Sequence, residues 1–243
     1  MFHKLIDPLG FGWTVRIIAF VALVGLSFSL AVMKMDSSHQ QTRSPLSLTT
    51  FRDPPYLILN CGFFFAFVGL YFPFFYLPTY FLTFLHSDAD IGFYSLAILN
   101  AASVFGRIMP GLLADRFGSL NVIVPISFIT SILAFIWIGV RNVAGAVVFA
   151  SLYGYGSGAI VSLPPTIVAR LTPDMSIMGT RIGISFVFAG TGLLIGNPIA
   201  GALLDLDHAV FWKAQLFSAI MLTAAAIFFM WVRLLIQVEG WKI

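Results

Sequence analysis

Seven long apolar runs constrain what this chain can fold into: approximately 14–33, 56–84, 92–114, 120–140, 143–169, 181–204 and 212–236. A helix needs about 20 apolar residues to cross a hydrocarbon core. Inside lipid every backbone N–H and C=O must find a protein partner, which leaves only helices and closed barrels as spanning structures. Barrel strands would be about ten residues long with alternating polarity. These uninterrupted runs therefore predict an all-α membrane protein with seven transmembrane helices. The composition fits: 59% of the 243 residues are hydrophobic and 9% are charged, where a soluble domain carries about a quarter charged. The single cysteine, Cys61, excludes an internal disulfide and disfavours a Cys-based metal centre. No Lys/Arg-rich block points to nucleic acid, and no polar low-complexity tail is present. No cofactor, metal or catalytic residue is expected; the partners are the bilayer and a small-molecule solute.

The second run is longer than a span requires and carries Pro73 and Pro78, so a kinked or tilted helix, or one continuing past the membrane surface, is expected there. The first run follows a short segment containing Lys4, with Arg16 near its start, but lacks a small-residue cleavage site, so it reads as a span. The segment 34–55, "KMDSSHQQTRSPLSLTTFRDPP", is the one long polar stretch and reads as a connector between domains. The expected organisation is a helix at 1–33, a cytosolic linker at 34–55, and a six-helix domain at 56–243.

Loop charges set an orientation. The linker carries Lys34, Arg43 and Arg52, whereas the loop 85–91 has His86, Asp88 and Asp90 but no Lys or Arg. Placing the linker in the cytosol puts Arg107, Arg116, Arg170, Arg181, Arg233 and Lys242 on or toward the same side. Lys4, Arg16, Arg141 and Lys213 remain outside, a clear positive-inside bias. The N-terminus then faces out, against the local pull of Lys4 and Arg16, which leads to the expectation of further sequence upstream.

Small residues mark helix contacts. Gly154, Gly156 and Gly158 cluster in the fifth run, and Gly179/Gly183 and Gly192/Gly196 repeat at intervals of four in the sixth. Packing and sliding during a transport cycle both fit. Pro164-Pro165 and Asn197-Pro198 are expected to loosen the backbone locally. In the aromatic second run, Tyr71, Tyr76 and Tyr80 share a broad helical face. Tyr76 and Tyr80 are expected in an interfacial belt, with pocket lining as the alternative.

The third run carries the charged motif. Asn100, Ser103, Arg107 and Gly111 follow i, i+3, i+7, i+11 spacing, along one helix face. Arg107 sits about 12 Å along the axis from Asp115, so its guanidinium should reach a bundle interior, a watery cavity or the headgroups. Two readings stand: a structural or snorkelling arginine, or an anion site whose planar fork takes a carboxylate. Asp115-Arg116 lies where the run stops, before Gly118 and a tight reversal, and is expected to fasten or gate two helices rather than touch solute.

"GLLADRFG" at 111–118 resembles the Gly-x-x-x-Asp-Arg-x-Gly signature of the major facilitator superfamily, as repeated between its eighth and ninth helices. With "GFGWTVRI" (10–17), "DPPYLILNCGFFFAFVGLYFPFFYLPTY" (53–80), "FGRIMPGLLADRFG" (105–118) and "GTRIGISFVFAGTGLLIGNPIAGALL" (179–204), the chain is similar to fungal monocarboxylate-permease-like members, from sixth helix to twelfth. The resemblance implies a six-helix C-terminal half of a major facilitator fold plus the preceding helix, with an N-terminal half as a needed partner. It implies secondary transport of a small organic solute, a monocarboxylate or another organic anion, by alternating access. Arg107 matches the eighth-helix arginine that helps bind the carboxylate in monocarboxylate transporters, with Asn100 and Ser103 beside it. Gly111, Asp115, Arg116 and Gly118 match the gating motif. The family pattern continues with Arg or Lys where this chain has Ser119 and Leu120, implying a reduced charge network in the turn. Where monocarboxylate transporters often carry an acidic residue tied to proton coupling, this chain has Ser103, so proton symport does not carry over.

A membrane enzyme is the weaker class: no His-Glu-x-x-His motif or paired intramembrane carboxylate occurs, and His3, His39, His86 and His208 lie in termini or loops. A transport-incompetent remnant is the other alternative. No Walker-type loop supports an ATP-driven pump. The plasma membrane is the default location and the vacuolar membrane the alternative.

Overall fold

The computed structural model describes residues 2–32, 53–172, 174, 176–205 and 208–238. Lys34, His39, Arg43, Arg52 and Lys242, with nearly all of the expected linker, lie outside the described residues. Among the described residues the helices are α1 (Phe2–Val32), α2 (Pro54–Leu70), α3 (Phe72–Thr83), α4 (Ala89–Phe117), α5 (Ser119–Trp137), α6 (Val143–Ser162), α7 (Pro164–Arg170), α8 (Met178–Ala202) and α9 (Trp212–Val238). They carry no sheet, and one isolated bridge joins Asp205 to Val210. Seven spans are long and apolar enough to cross a membrane: Gly10–Val32, Pro54–Thr83, Asp90–Phe117, Ser119–Trp137, Val143–Arg170, Met178–Ala202 and Trp212–Ile236. The chain is an all-α, multi-pass membrane protein, and its last six spans have the architecture expected of a C-terminal major facilitator half.

The chain divides into two compact units, Met1–Arg43 and Ser44–Ile243. In the first, α1 bends at Gly10, whose φ of 72° is left-handed backbone open to glycine. The Thr14 hydroxyl donates to the Gly10 carbonyl at 2.9 Å, and the span proper begins there.

In the second unit two proline-bearing spans are interrupted. α2 and α3 form one span interrupted at Tyr71, directly before Phe72-Pro73. Pro73 has no N–H to offer the Gly69 carbonyl; instead the Ser218 hydroxyl of α9 donates to it at 2.6 Å. The neighbouring Leu70 carbonyl accepts from the Tyr153 hydroxyl of α6 at 2.8 Å. Two side chains from other spans thus replace the helix's own bonds at the break. Pro164-Pro165 likewise separates α6 from α7 at Leu163. Pro198 behaves differently from expectation: α8 runs unbroken to Ala202. Pro78, Pro110 and Pro125 likewise sit inside continuous helices; what sets Pro73 apart is the pair of outside donors held by the freed carbonyls.

Glycines set the closest contacts. A Cβ on Gly154 or Gly158 would strike the Leu99 or Ser103 carbonyl, and one on Gly106 would strike Tyr155, so α4 and α6 meet backbone to backbone. Gly192 and Gly196 bring α8 against the Phe64 and Val68 carbonyls of α2 in the same way. Gly179 and Gly183 correct the expectation of a second packing pair, because nothing stands within 4 Å of a Cβ at either. α9 packs against α2 and α5.

Aromatic side chains fill the end opposite Asp53. Trp137 stacks on Phe149 with ring centroids 4.8 Å apart, and Tyr80 on Phe84 at the same separation. Tyr80 is buried and donates its hydroxyl to the Val140 carbonyl. It is therefore a core residue that pins α3 to the α5–α6 turn, not a member of an interfacial belt. Tyr76 is half-buried against Phe72, at 5.2 Å.

Candidate functional site

The charged face of α4 divides. Arg107 and Asn100 are exposed, and the Asn100 amide donates to the Leu96 carbonyl at 2.9 Å. Ser103 is buried, on the side where its backbone meets Gly158 of α6. An i+3 step turns 60° short of a full circle on a 100°-per-residue wheel. That rotation carries Ser103 from the open face to the packed one. Gly111 is half-buried with open space around its Cα. Arg107 has no hydrogen bond or ion pair among the described residues.

Tyr71 is the residue at the break in the second span. It is half-buried, and its ring lies 5.8 Å from Phe67 and 5.3 Å from Phe74, tilted about both. α4 and α8 are the least buried spans of the six-span unit, whereas the α2–α3 and α6–α7 spans are its most buried. The open side of α4 therefore presents Asn100 and Arg107, and the broken span, which packs on α4 through α3, carries the half-buried Tyr71 and Phe74. Chemically it offers one permanent cation, one amide and a ring face.

The turn motif takes a form its charges did not suggest. Asp115 and Arg116 are exposed and enter no ion pair among the described residues. The reversal itself rests on Gly118, at φ 91°, whose N–H reaches the Ala114 carbonyl at 3.0 Å. That buried carbonyl also accepts from the Arg170 guanidinium at 3.1 Å, tying the end of α7 to the end of α4.

Two further arginine ties, read from the sequence only as positive charge, stand at the same end. Arg181, 4% exposed at the start of α8, pairs with the Asp53 carboxylate at the start of α2. It also donates to the Leu171 carbonyl at 2.8 Å and lies 4.5 Å over the Tyr56 ring. The Tyr56 hydroxyl returns a bond of 2.7 Å to the Arg181 carbonyl. Arg233 of α9 donates to the Asn121 side chain of α5, whose amide donates to the Phe117 carbonyl at 2.7 Å. Together these arginines link all six spans at the end where Asp53 and Asp115 lie. Nothing local in the sequence separates them from Arg107; only the partner, 128 residues away for Arg181, does so. Among the described residues no group of three or more His, Cys, Asp or Glu could hold a metal ion.

No family model matches the chain. It is 39% identical over 210 residues to the MFS-type transporter dbaD of Emericella nidulans, covering 86% of this chain and 47% of that protein. It is 37% identical over 218 residues to the aspyridones efflux protein apdF of the same fungus, covering 89% and 44%. With the agnestins efflux protein AgnL12 of Paecilomyces divaricatus it shares 33% identity over 235 residues, covering 96% and 53%. The chain spans about half the length of these curated relatives. It is homologous to fungal transporters and efflux proteins of the major facilitator type, and these relatives carry no enzyme names.

Proposed function

We propose that the chain forms one solute-binding wall of a secondary active transporter that moves a small organic anion across a fungal membrane by alternating access. The carrying observation is Arg107: a permanent cation on the open face of a membrane-spanning helix, with no ion pair or hydrogen bond from the described residues. A guanidinium in that position is costly unless water or an anion meets it. Its planar fork presents paired donors suited to a carboxylate. Asn100, two turns away on the same side, supplies a neutral group for the rest of the solute. Ser103 contributes packing rather than a direct contact.

The six-span unit would rock as a body against an opposing half. The arginine ties at the Asp53 end keep that body intact during motion, and Asp115-Arg116, unpaired here, would engage and release at that surface. No Asp or Glu lies within the spans away from their ends, so no carboxylate at mid-membrane depth in this unit is assigned to proton coupling. Two relatives are named as efflux proteins, which favours export, with the plasma membrane as the site.

The test is uptake of radiolabelled carboxylates into proteoliposomes carrying the chain in its full reading frame, at two external pH values. Arg107→Lys should lower carboxylate transport about tenfold, the equivalent of about 1.4 kcal/mol from a lost bidentate contact, with unchanged membrane insertion. Saturable transport equal to wild type in that variant overturns the anion site.

A further inference from the structure

The rings on the broken span bear on which anion Arg107 takes. α3 and α4 run antiparallel, and a Cβ on Gly92 would sit 3.2 Å from the Pro78 carbonyl, which fixes their register. Seven residues from each contact point, Tyr71 comes level with Leu99 and Asn100. Arg107 lies two turns farther along α4, about 10 Å at 1.5 Å per residue. Along the broken span the half-buried Tyr71 and Phe74 rings lie 5.3 Å apart, with the buried Phe67 ring behind them at 5.8 Å from Tyr71. α3 packs along α4, so the half-buried Tyr71 ring and the exposed Arg107 stand on neighbouring spans about two turns apart along the axis.

Tyr71 is also held there. An uninterrupted helix would satisfy the Gly69 and Leu70 carbonyls itself; here Ser218 and Tyr153, from two other spans, hold them. The break is therefore built into the packing, and it sets the Tyr71 ring at the end of α2 rather than along a continuous helix. A ring fixed in this way loses little freedom when another ring lies against it.

We infer that the solute taken at Arg107 is a carboxylate joined directly to one or two fused aromatic or conjugated rings, the carboxylate on the guanidinium and the ring plane on the half-buried Tyr71 and Phe74. A short aliphatic acid such as propionate reaches the cation but leaves these rings uncovered. A ring acid spans the distance between the two. Pairs of aromatic rings gain about 0.5–1.5 kcal/mol beyond their buried area, which sets the size of the preference. This inference rests on the anion site proposed above.

The experiment is equilibrium binding of radiolabelled benzoate to the protein in its full reading frame, purified in detergent, competed with 2-naphthoate and with propionate. Both ring acids should compete about tenfold better than propionate, and Tyr71→Leu should reduce that preference about three- to tenfold. Tyr71→Phe keeps the ring and should retain the preference, which separates loss of the ring from loss of the fold. Arg107→Gln should abolish binding of all three acids. Propionate competing as well as benzoate, or an unchanged preference in Tyr71→Leu, overturns the aromatic inference while leaving the anion site standing. Benzoate binding that survives Arg107→Gln overturns the anion site, and the inference with it.

Discussion

Arg107 and Arg181 enter their helices in similar local sequence, "FGRIM" and "GTRIG", yet one faces open space and the other is buried. The difference comes from Asp53, Leu171 and Tyr56, which surround Arg181 with a carboxylate, a carbonyl and a ring face. Removing one member of a buried pair leaves the other charge unpaired, a loss of about 3–5 kcal/mol when both partners are fully buried. Asp53 is a third exposed, so solvent screens part of that loss. Arg181→Met should therefore lower the thermal unfolding midpoint in detergent clearly, and Asp53→Asn less, because Arg181 keeps its bond to Leu171. Equal midpoints for Arg181→Met and wild type would show that the tie carries no stability. At this scale the sequence allowed Arg107 to be singled out, because helical spacing and the turn motif are local properties. It did not distinguish Arg181, Arg170 and Arg233 as inter-helix ties, because their partners stand on other helices and leave no local pattern.

Helices were legible wherever hydrophobic length decided the outcome. All seven spans follow from apolar length; proline's missing N–H frees acceptors at the breaks before Pro73 and Pro164, but Pro78, Pro110, Pro125 and Pro198 sit inside continuous helices, so which proline breaks its helix was not legible. The choice of packing glycine did not follow, because Gly179/Gly183 and Gly192/Gly196 share the same spacing on α8. Only the second pair meets a neighbouring backbone. Gly192→Val should force α8 off the Phe64 carbonyl of α2 and reduce the yield of monodisperse protein, whereas Gly183→Ala should leave it unchanged. Equal yields for the two variants would contradict the assigned α2–α8 contact. The break at Tyr71 has its own test. Tyr153→Phe removes the donor to the Leu70 carbonyl and leaves a buried acceptor unpaired, a cost of about 1–3 kcal/mol. A lower unfolding midpoint with faster amide exchange at residues 69–75 is expected. An unchanged exchange pattern would mean that the break holds without this brace.

For the molecule as a whole, the burial pattern and the arginine ties divide the six spans by role. The α2–α3 and α6–α7 spans are the most buried, and α4 and α8 stand least covered. The ties gather at one end, the end that loop charge assigns to the cytosol. Orientation is the premise on which gating at Asp115-Arg116 depends, since a turn outside the cell could not close a cytosolic entrance. Lys and Arg near span ends bias topology toward the cytosolic side, but here several of these arginines are engaged by protein groups, so their count overstates the free charge available to the membrane. In a Cys61→Ser background, single cysteines at Ser87 and Asn142 should react with an impermeant maleimide added outside intact cells. A cysteine replacing Arg116 should react only after permeabilisation. Labelling of Arg116→Cys in intact cells would invert the chain and make Asp115-Arg116 an external turn. The anion site proposed at Arg107 would survive that result, because its depth within α4 depends on position along the helix and not on which end faces the cytosol.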